Sequence, residues 1–426
     1  MHEPESDSID IFVIGDDVRT HTGFAMNGRT VCRALADDYD IANMSSKTDI
    51  PTKINLYGSE MWILPSGAQS RGNPISIDQL ERLLSKYNPS IIITIIDIRM
   101  MGEIAQLHLP CSTNVSLRNI GEYVNKDAVI SRTIDAVSKI PNTPRFTWVA
   151  QIPVDGEPLP EYWEGYLKEV DHTITMSEYG SKIIETQFGI STVTIPHAVE
   201  KTPTSNIEND TEANVFYVGS VNENQFRKQY PLLLDSFKLF YEKAGRPDDI
   251  KFYLHANPDG GYSGWNLEKQ IRKREISHLF EPYKGNLSRK ELLELYSKFD
   301  IFASATSGEG FGLTTAEALY QGCPVVITDY STSEELIVSG DPSPRGTLVD
   351  PAMMYDATFE LEEVERALVD TTEFAEALLD YYLNPGKVDT EGENARKWAQ
   401  QNISFERVST MWSDYIKNEV GLQPTK

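Results

Sequence analysis

At 426 residues the chain exceeds the usual size of a single domain, so two domains, each burying its own core, are the expectation. The formal net charge of −25 argues against nonspecific attraction to nucleic acid or anionic lipid. The three cysteines, Cys32, Cys111 and Cys323, are far apart and not at metal-ligand spacing, which fits free buried thiols in a reducing compartment.

The chain opens on MHEPESDSID, acidic where a signal peptide is basic, and no apolar run reaches the ~20 residues of a membrane span, so a cytoplasmic location is expected. IDIFVIG (9–15) reads as a buried strand, DDVRTHTGFAMNG (16–28) as a polar turn and RTVCRALADD (29–38) as a helix, the opening unit of a doubly wound sheet. A weak strand, IANMS (41–45), comes next. Apolar runs follow at SIIITIIDI (90–98), RFTWVAQIPV (145–154), HTITMS (172–177) and STVTIPH (191–197), with helical stretches such as SEYGSKIIETQFG (177–189) between them. Such near-continuous β-branched runs suit strands covered on both faces, hence a parallel sheet.

AVEKTPTSNIENDTEAN (198–214) is polar and aperiodic and reads as a connection between domains. The alternation then restarts: strands VFYVGS (215–220), KFYLHA (251–256), IFASAT (301–306), PVVITD (324–329) and GTLVD (346–350) are interleaved with helices PLLLDSFKLFYEKAG (231–245), LEKQIRKREISHLF (267–280), RKELLELYSKF (289–299) and TTAEALYQG (314–322). The tail reads as helical at EVERALVDTTEFAEALLDYYL (363–383), ENARKWAQQ (393–401) and FERVSTMWSDYIKNEV (405–420).

The stretch GEGFGLTTAEALYQGCPVV (308–326) carries the chemistry. Gly308, Gly310 and Gly312 let the backbone approach a ligand, and the helix start beyond them presents unpaired amides and a partial positive charge suited to phosphate. Any strand-to-helix turn also favours glycine. Glu317 has two local readings, because Thr314 and Glu317 have the spacing of a capping box. Glu309, in the loop among glycines, is expected to have little structural work, so its replacement should barely change stability.

Two glutamates eight positions apart within EGFGLTTAEALYQGCPVV resemble the signature of the retaining glycosyltransferases of family 4. GNLSRKELLELYSKFDIFASAT (285–306), DYSTSEELI (329–337), VFYVGSVNENQFRKQYPLLLDSF (215–237) and TMSEYGSKIIETQFGISTVTIPHAVE (175–200) resemble other passages of that family. The likeness is strong from about Asp171 onward. It implies a GT-B fold: two Rossmann-like, doubly wound α/β domains facing a central cleft. Residues 1–200 would take the acceptor, residues 201–400 the nucleotide sugar, and a C-terminal helix in 401–426 would return to the N-terminal domain.

The resemblance assigns Glu309 to hydroxyls of the transferred sugar and Glu317 to the ribose hydroxyls. The amides of Gly310, Phe311 and Gly312 would lie against sugar and diphosphate, and Leu313 next to them is counted with the donor-binding residues. Lys228 and Arg227 would meet the charge growing on the leaving diphosphate. Many relatives place Arg directly after the strand glycine, whereas this chain has Ser220 after Gly219, so the division of labour between Arg227 and Lys228 stays open. FRKQ alone would read as an exposed basic pair at a helix start. In the first domain, Gly23 with Thr22 beside it would border the reaction centre, and Asp155 is either an acceptor-side carboxylate or a turn-forming Asp before Gly156. His197 reads as hinge packing. DYD (38–40) has the spelling of a metal-binding pair but lies at a helix end, and reads as a solvated terminus.

No metal and no cofactor beyond the donor are expected. The implied reaction moves a hexose or similar sugar from a nucleoside diphosphate sugar, with retention, to an acceptor that the sequence does not name: a glycan, a lipid-linked sugar, a small molecule or a modified DNA base. A sugar-nucleotide epimerase of the same fold, or a catalytically idle sugar-nucleotide-binding protein, are the alternatives. Sugar, base and oligomeric state are not readable.

Overall fold

Buried β-branched runs form the centre of each of two compact units in the computed structural model, which describes residues 9–68, 75–108, 145–200, 215–261, 264–281, 285, 287–338, 343–357 and 364–426, with the backbone alone at Glu103 and Gln106. Cys111, the acidic opening and most of the polar connection lie outside these residues. One unit comprises residues 1–154, 159–198 and 405–426, the other 155–158 and 199–404. The segment Asp155–Pro158 thus belongs with the second unit, although it falls inside the stretch expected to form the first domain.

In the first unit, β1 (Ile11–Ile14) is buried throughout, and Ile11 lies opposite both Ile41 and Ile91 in parallel register. Helix α1 (Gly23–Leu35) begins earlier than expected, because the Thr22 hydroxyl accepts a hydrogen bond from the Ala25 amide at 3.1 Å. Half of the expected polar turn is therefore helix. After β2 (Ile41–Ser45), β3 (Thr52–Leu56) and β4 (Ser59–Pro65) form an antiparallel hairpin that the sequence did not announce. Its turn residues, Tyr57 and Gly58, have φ of 54° and 104°, the sign a two-residue hairpin turn requires.

The chain continues through α2 (Ile77–Tyr87), β5 (Ile91–Ile95), α3 (Gly102–His108), β6 (Thr147–Ile152), α4 (Tyr162–Leu167), β7 (His172–Thr175), α5 (Glu178–Phe188) and β8 (Val193–Thr194). The sheet order is β3-β4-β2-β1-β5-β6-β7-β8, parallel except for the hairpin. The C-terminal helix Phe405–Asp414 packs in this unit: Arg33 lies 3.8 Å over the Phe405 ring, and His172 Nδ1 is 3.1 Å from the Tyr415 hydroxyl. DYD is not a free terminus. Asp38 pairs with Lys417 at 2.8 Å and Asp40 with Lys426 at 3.2 Å, so both carboxylates tether the chain's end.

The second unit repeats the plan with β9 (Phe216–Val221), α6 (Tyr230–Lys243), β10 (Ile250–His255), α7 (Leu267–Lys273), α8 (Arg289–Tyr296), β11 (Ile301–Ser304), α9 (Leu313–Gln321), β12 (Val325–Thr328), α10 (Ser333–Ile337) and β13 (Gly346–Val349). Its sheet is wholly parallel, in the order β10-β9-β11-β12-β13. Phe237 and Phe252 stack at 4.4 Å in its core. A second hairpin, β14 (Pro351–Asp356) with β15 (Glu365–Val369), corrects the helical reading of EVERALV; only from Thr371 does that stretch become helix, α11 (Thr371–Leu383). Asp370 starts it by accepting from the amides of Thr372 and Glu373. Helix α12 (Pro385–Asn402) closes the unit. Among the described residues, no helix is long and apolar enough to cross a membrane.

Candidate functional site

The expected site residues of the second unit converge at the C-terminal ends of β9 and β11. After β9 the chain makes a short 3-10 turn, Phe226–Lys228, and after β11 it enters the glycine loop. The two are zipped together: the Ser307 amide donates to the Arg227 carbonyl at 2.8 Å, and the Ser307 hydroxyl to the same oxygen at 2.9 Å. Glu309 lies between them. Arg227 Nη1 donates to Glu309 Oε2 at 2.9 Å and to the Gly308 carbonyl at 2.9 Å, while Lys228 donates to Glu309 Oε1. The Thr306 hydroxyl adds a bond to Oε1 at 2.8 Å, and the Glu309 amide donates to Ser331 Oγ at 2.9 Å.

This arrangement corrects two expectations. Glu309 is 7% exposed and Lys228 7%, so neither is a surface group, and Glu309 carries structural work as the counter-charge of two cations. Burial alone would raise the Glu309 carboxyl, yet the neighbouring charges of Arg227 and Lys228 hold it well below the usual carboxylate range. Lys228 is lowered to about 8, because burial and the adjacent Arg227 outweigh the attraction of Glu309. Arg227 is raised: burial opposes its charge, but Glu309 and Asp155 favour it more strongly.

Backbone geometry explains the glycines. Gly308 has φ +150°, and a Cβ there would stand 2.2 Å from the Asp155 carbonyl oxygen and 2.6 Å from Arg366 Nη1. Gly312, at φ +86°, precedes α9, and no side chain caps that helix among the described residues. Its first amides thus have no carboxylate or hydroxyl cap and follow directly on the loop whose Glu309 meets the two cations, the arrangement expected of an anion cradle. Phe311 is buried, its carbonyl accepting from the Thr332 hydroxyl at 3.2 Å, while Gly310 and Leu313 are partly exposed.

The capping-box reading of Glu317 is overturned. Thr314 is the second residue of α9, not its cap, and its hydroxyl donates to Asn222 Oδ1 at 3.1 Å. Glu317, 2% exposed, faces α8: the Tyr296 hydroxyl donates to Oε2 at 2.9 Å, and Arg289 Nη1 lies 2.5 Å from Oε1.

Other expected residues are placed differently. Gly219 lies within β9 under the Phe299 ring, where a Cβ would approach to 2.2 Å, and Ser220 beside it is fully buried. Asp155 is held twice by Arg366, Nη1 on its carbonyl at 2.9 Å and Nη2 on Oδ2 at 3.1 Å. Arg366 is itself fully buried, and sequence reasoning missed it because its strand was read as helix. Arg289 and Tyr296 were likewise read only as helix. In the first unit, Thr22 caps α1 and donates to the Asp16 carboxylate, and Gly23 opens the helix with no atom within 4 Å of a Cβ. Buried His197 is lowered to about 4 by desolvation. Among the described residues, no three His, Cys, Asp or Glu side chains converge as a set of metal ligands. Cys32 and Cys323 are buried free thiols.

Two doubly wound units of this kind make the GT-B fold, and solved structures of that fold match nearly all of the chain. Sucrose-phosphate synthase from Thermosynechococcus elongatus matches with a TM-score of 0.68 at 14% identity, covering 97% of this chain and 99% of that one. HepE of Anabaena, solved with UDP and glucose, matches with a TM-score of 0.61 at 14% identity, covering 96% and 99%. Residues 199–367 match the family model described as Glycosyl transferases group 1. In sequence, the chain is 24% identical over 129 residues to the GtfA subunit of the UDP-N-acetylglucosamine–peptide N-acetylglucosaminyltransferase of Streptococcus parasanguinis, a match covering 30% of this chain and only 23% of that protein.

Proposed function

We propose that the chain is a retaining glycosyltransferase of the family 4 type, taking a nucleoside diphosphate sugar as donor. The observation that carries this reading is the Lys228–Glu309–Arg227 cluster in the loop that leads into α9, whose start has no side-chain cap among the described residues, with Glu317 eight positions further on. The curated relative and the GT-B neighbours, one solved with UDP, support the donor class. In the proposed reaction the bond between the anomeric carbon and the diphosphate oxygen breaks, and its electron pair stays on the diphosphate. The acceptor oxygen bonds the same face of that carbon, and its proton passes to the leaving phosphate oxygen. Lys228 and Arg227 meet the charge that grows there. Glu309 holds sugar hydroxyls and Glu317 the ribose.

Diphosphate charge is assigned to these cations rather than to a divalent ion, and no further cofactor is invoked. Chelator should therefore leave the rate unchanged, whereas inhibition by EDTA reversed by Mg²⁺ or Mn²⁺ would contradict this assignment. A thermal-shift panel of sugar nucleotides tests the donor class, since ligand at ~100 times its dissociation constant adds about 2.7 kcal/mol of stability. Product analysis then decides the reaction: a glycoside and free nucleotide support transfer, an isomeric sugar nucleotide would mean an epimerase, and tight binding without turnover a sensor.

A further inference from the structure

Arg289 and Tyr296 are seven residues apart, two turns of helix, and so share one face of α8. That face meets Glu317 on α9. Tyr296 donates to one carboxylate oxygen at 2.9 Å and Arg289 Nη1 contacts the other at 2.5 Å. Arg289 is not needed to start its own helix, because Ser288 and Glu291 form a reciprocal capping box there. Its remaining donors, Nε and Nη2, are buried with no hydrogen-bond partner among the described residues.

Arg274, a buried arginine of the same unit, gives one example of a guanidinium used as scaffold. Arg274 has Nε on Asp235 at 2.7 Å, Nη1 on Gln270 at 2.9 Å, and Nη2 on Asp235 and the Pro231 carbonyl at 2.8 and 2.9 Å. Every nitrogen is satisfied. Arg289, half-buried, is instead held chiefly by one carboxylate, and leaving its two buried donors unmade is costly unless the remaining contact has a purpose.

Resting on the donor reading above, we propose that Arg289, backed by Tyr296, is the positioning residue that aims the Glu317 carboxylate at the vicinal hydroxyls of the donor's ribose, and thereby sets a preference for ribonucleotides over deoxyribonucleotides. Tyr296 hydrogen-bonds one carboxylate oxygen, while the other is held by its ion pair with Arg289 and accepts no hydrogen bond among the described residues, so both keep a lone pair for a ligand hydroxyl. Burial and the nearby Glu317 push the Tyr296 hydroxyl well up, and the Glu317 charge raises Arg289 despite burial, so both partners stay protonated donors. The carboxylate can then only accept, which suits hydroxyls and not a second anion.

The test measures binding of UDP and 2′-deoxy-UDP, and of GDP and 2′-deoxy-GDP, by calorimetry to the full chain and to Arg289→Met, Arg289→Lys, Tyr296→Phe and Glu317→Gln variants. For the nucleotide that the wild type binds, the ribo form should be preferred by about tenfold or more, the size of a hydrogen bond to a charged group. Arg289→Met and Glu317→Gln should shrink that ratio to about twofold or less, with Tyr296→Phe intermediate and Arg289→Lys partly restored. A merely structural Arg289 would weaken both forms equally and leave the ratio unchanged, which overturns the inference. Where Arg289→Met fails to fold, Tyr296→Phe and Arg289→Lys carry the same comparison. A wild type that binds without preferring ribose sinks the inference and leaves the donor reading standing, whereas a wild type that binds no nucleoside diphosphate sinks both.

Discussion

The loop from β1 to α1 in the first unit and the loop from β11 to α9 in the second both lead from a parallel strand into a helix through glycine, yet their polar side chains are used in opposite ways. In the first, Asp17 accepts from Ser45 Oγ at 2.5 Å and Arg19 Nε at 2.9 Å, Asn43 Oδ1 accepts from the Val18 amide at 3.2 Å, and Arg29 donates to the carbonyls of Val18 and Thr20. These groups hold their own backbone in place. In the second, Arg227, Lys228 and Glu309 are brought together from 81 and 82 positions apart, and one carboxylate faces two cations in the loop that leads into a helix with no side-chain cap among the described residues. Glycine and a following helix are common to both loops. What separates a scaffold turn from a ligand cradle is where the cations lie.

The largest expected effect tests that distinction. Lys228→Ala removes the more buried cation, and turnover should fall by a barrier increase of about 3 to 4 kcal/mol, the usual loss when a group meeting developing charge is deleted. The rate constant kcat, measured with the donor found in the thermal-shift panel on protein shown to be folded by circular dichroism, is the readout. Near-normal turnover would move the role to Arg227 or dissolve the site.

Next comes Glu309→Gln. Because the carboxylate is the shared counter-charge of Arg227 and Lys228, its loss leaves buried cations uncompensated, and stability in chemical denaturation should drop by about 3 kcal/mol. Transfer should fall as well. A stability change below about 0.5 kcal/mol, typical of surface substitutions, would show that the cluster is not held by this ion pairing.

The limits of the sequence are visible in the same residues. Strands such as IIITI and VVIT were legible because β-branched runs buried on both faces leave little alternative. The β14–β15 hairpin was not, since Glu, Arg, Ala and Leu outnumber the two valines of EVERALV, and its strand state depends on antiparallel pairing that composition does not encode. Arg366 went unnoticed with it. Thr314 and Glu317 spelled a capping box, but the helix starts at Leu313 behind the left-handed Gly312, which moves Thr314 inside and frees Glu317 for α8. The motif itself was readable; the partners of its carboxylates come from Arg227, Lys228, Arg289 and Tyr296, and only the fold brings those to them.

A smaller effect concerns pH. Lys228, lowered to about 8 from its usual 10.5, is neutral in the folded protein over the interval where it is still charged when unfolded. The unfolded chain then binds more protons, so this residue makes the ligand-free protein more stable as pH rises from about 8 to about 10.5. Donor affinity should move the opposite way, falling by up to about tenfold per pH unit once the ammonium is lost. Calorimetry and denaturation on the wild type and on Lys228→Met isolate both slopes. Equal slopes in the two proteins would exclude Lys228 as their origin.

The smallest expected effect belongs to the first loop and probes it directly. Gly23 opens α1 with open space around the position of a Cβ, in contrast to Gly308, where a Cβ would strike the Asp155 carbonyl and the backbone itself requires glycine. Gly23→Ala should therefore stabilise the protein by roughly 0.4 to 1 kcal/mol, through the lower entropy of the unfolded chain. If Gly23 also gives a ligand close access to the backbone, as the resemblance implies, the same substitution must lower turnover while the melting temperature rises. Stability and activity would then part company at one residue. A variant that is more stable and transfers sugar at the wild-type rate would make Gly23 a scaffold glycine, and the first loop would be a turn that only holds its helix.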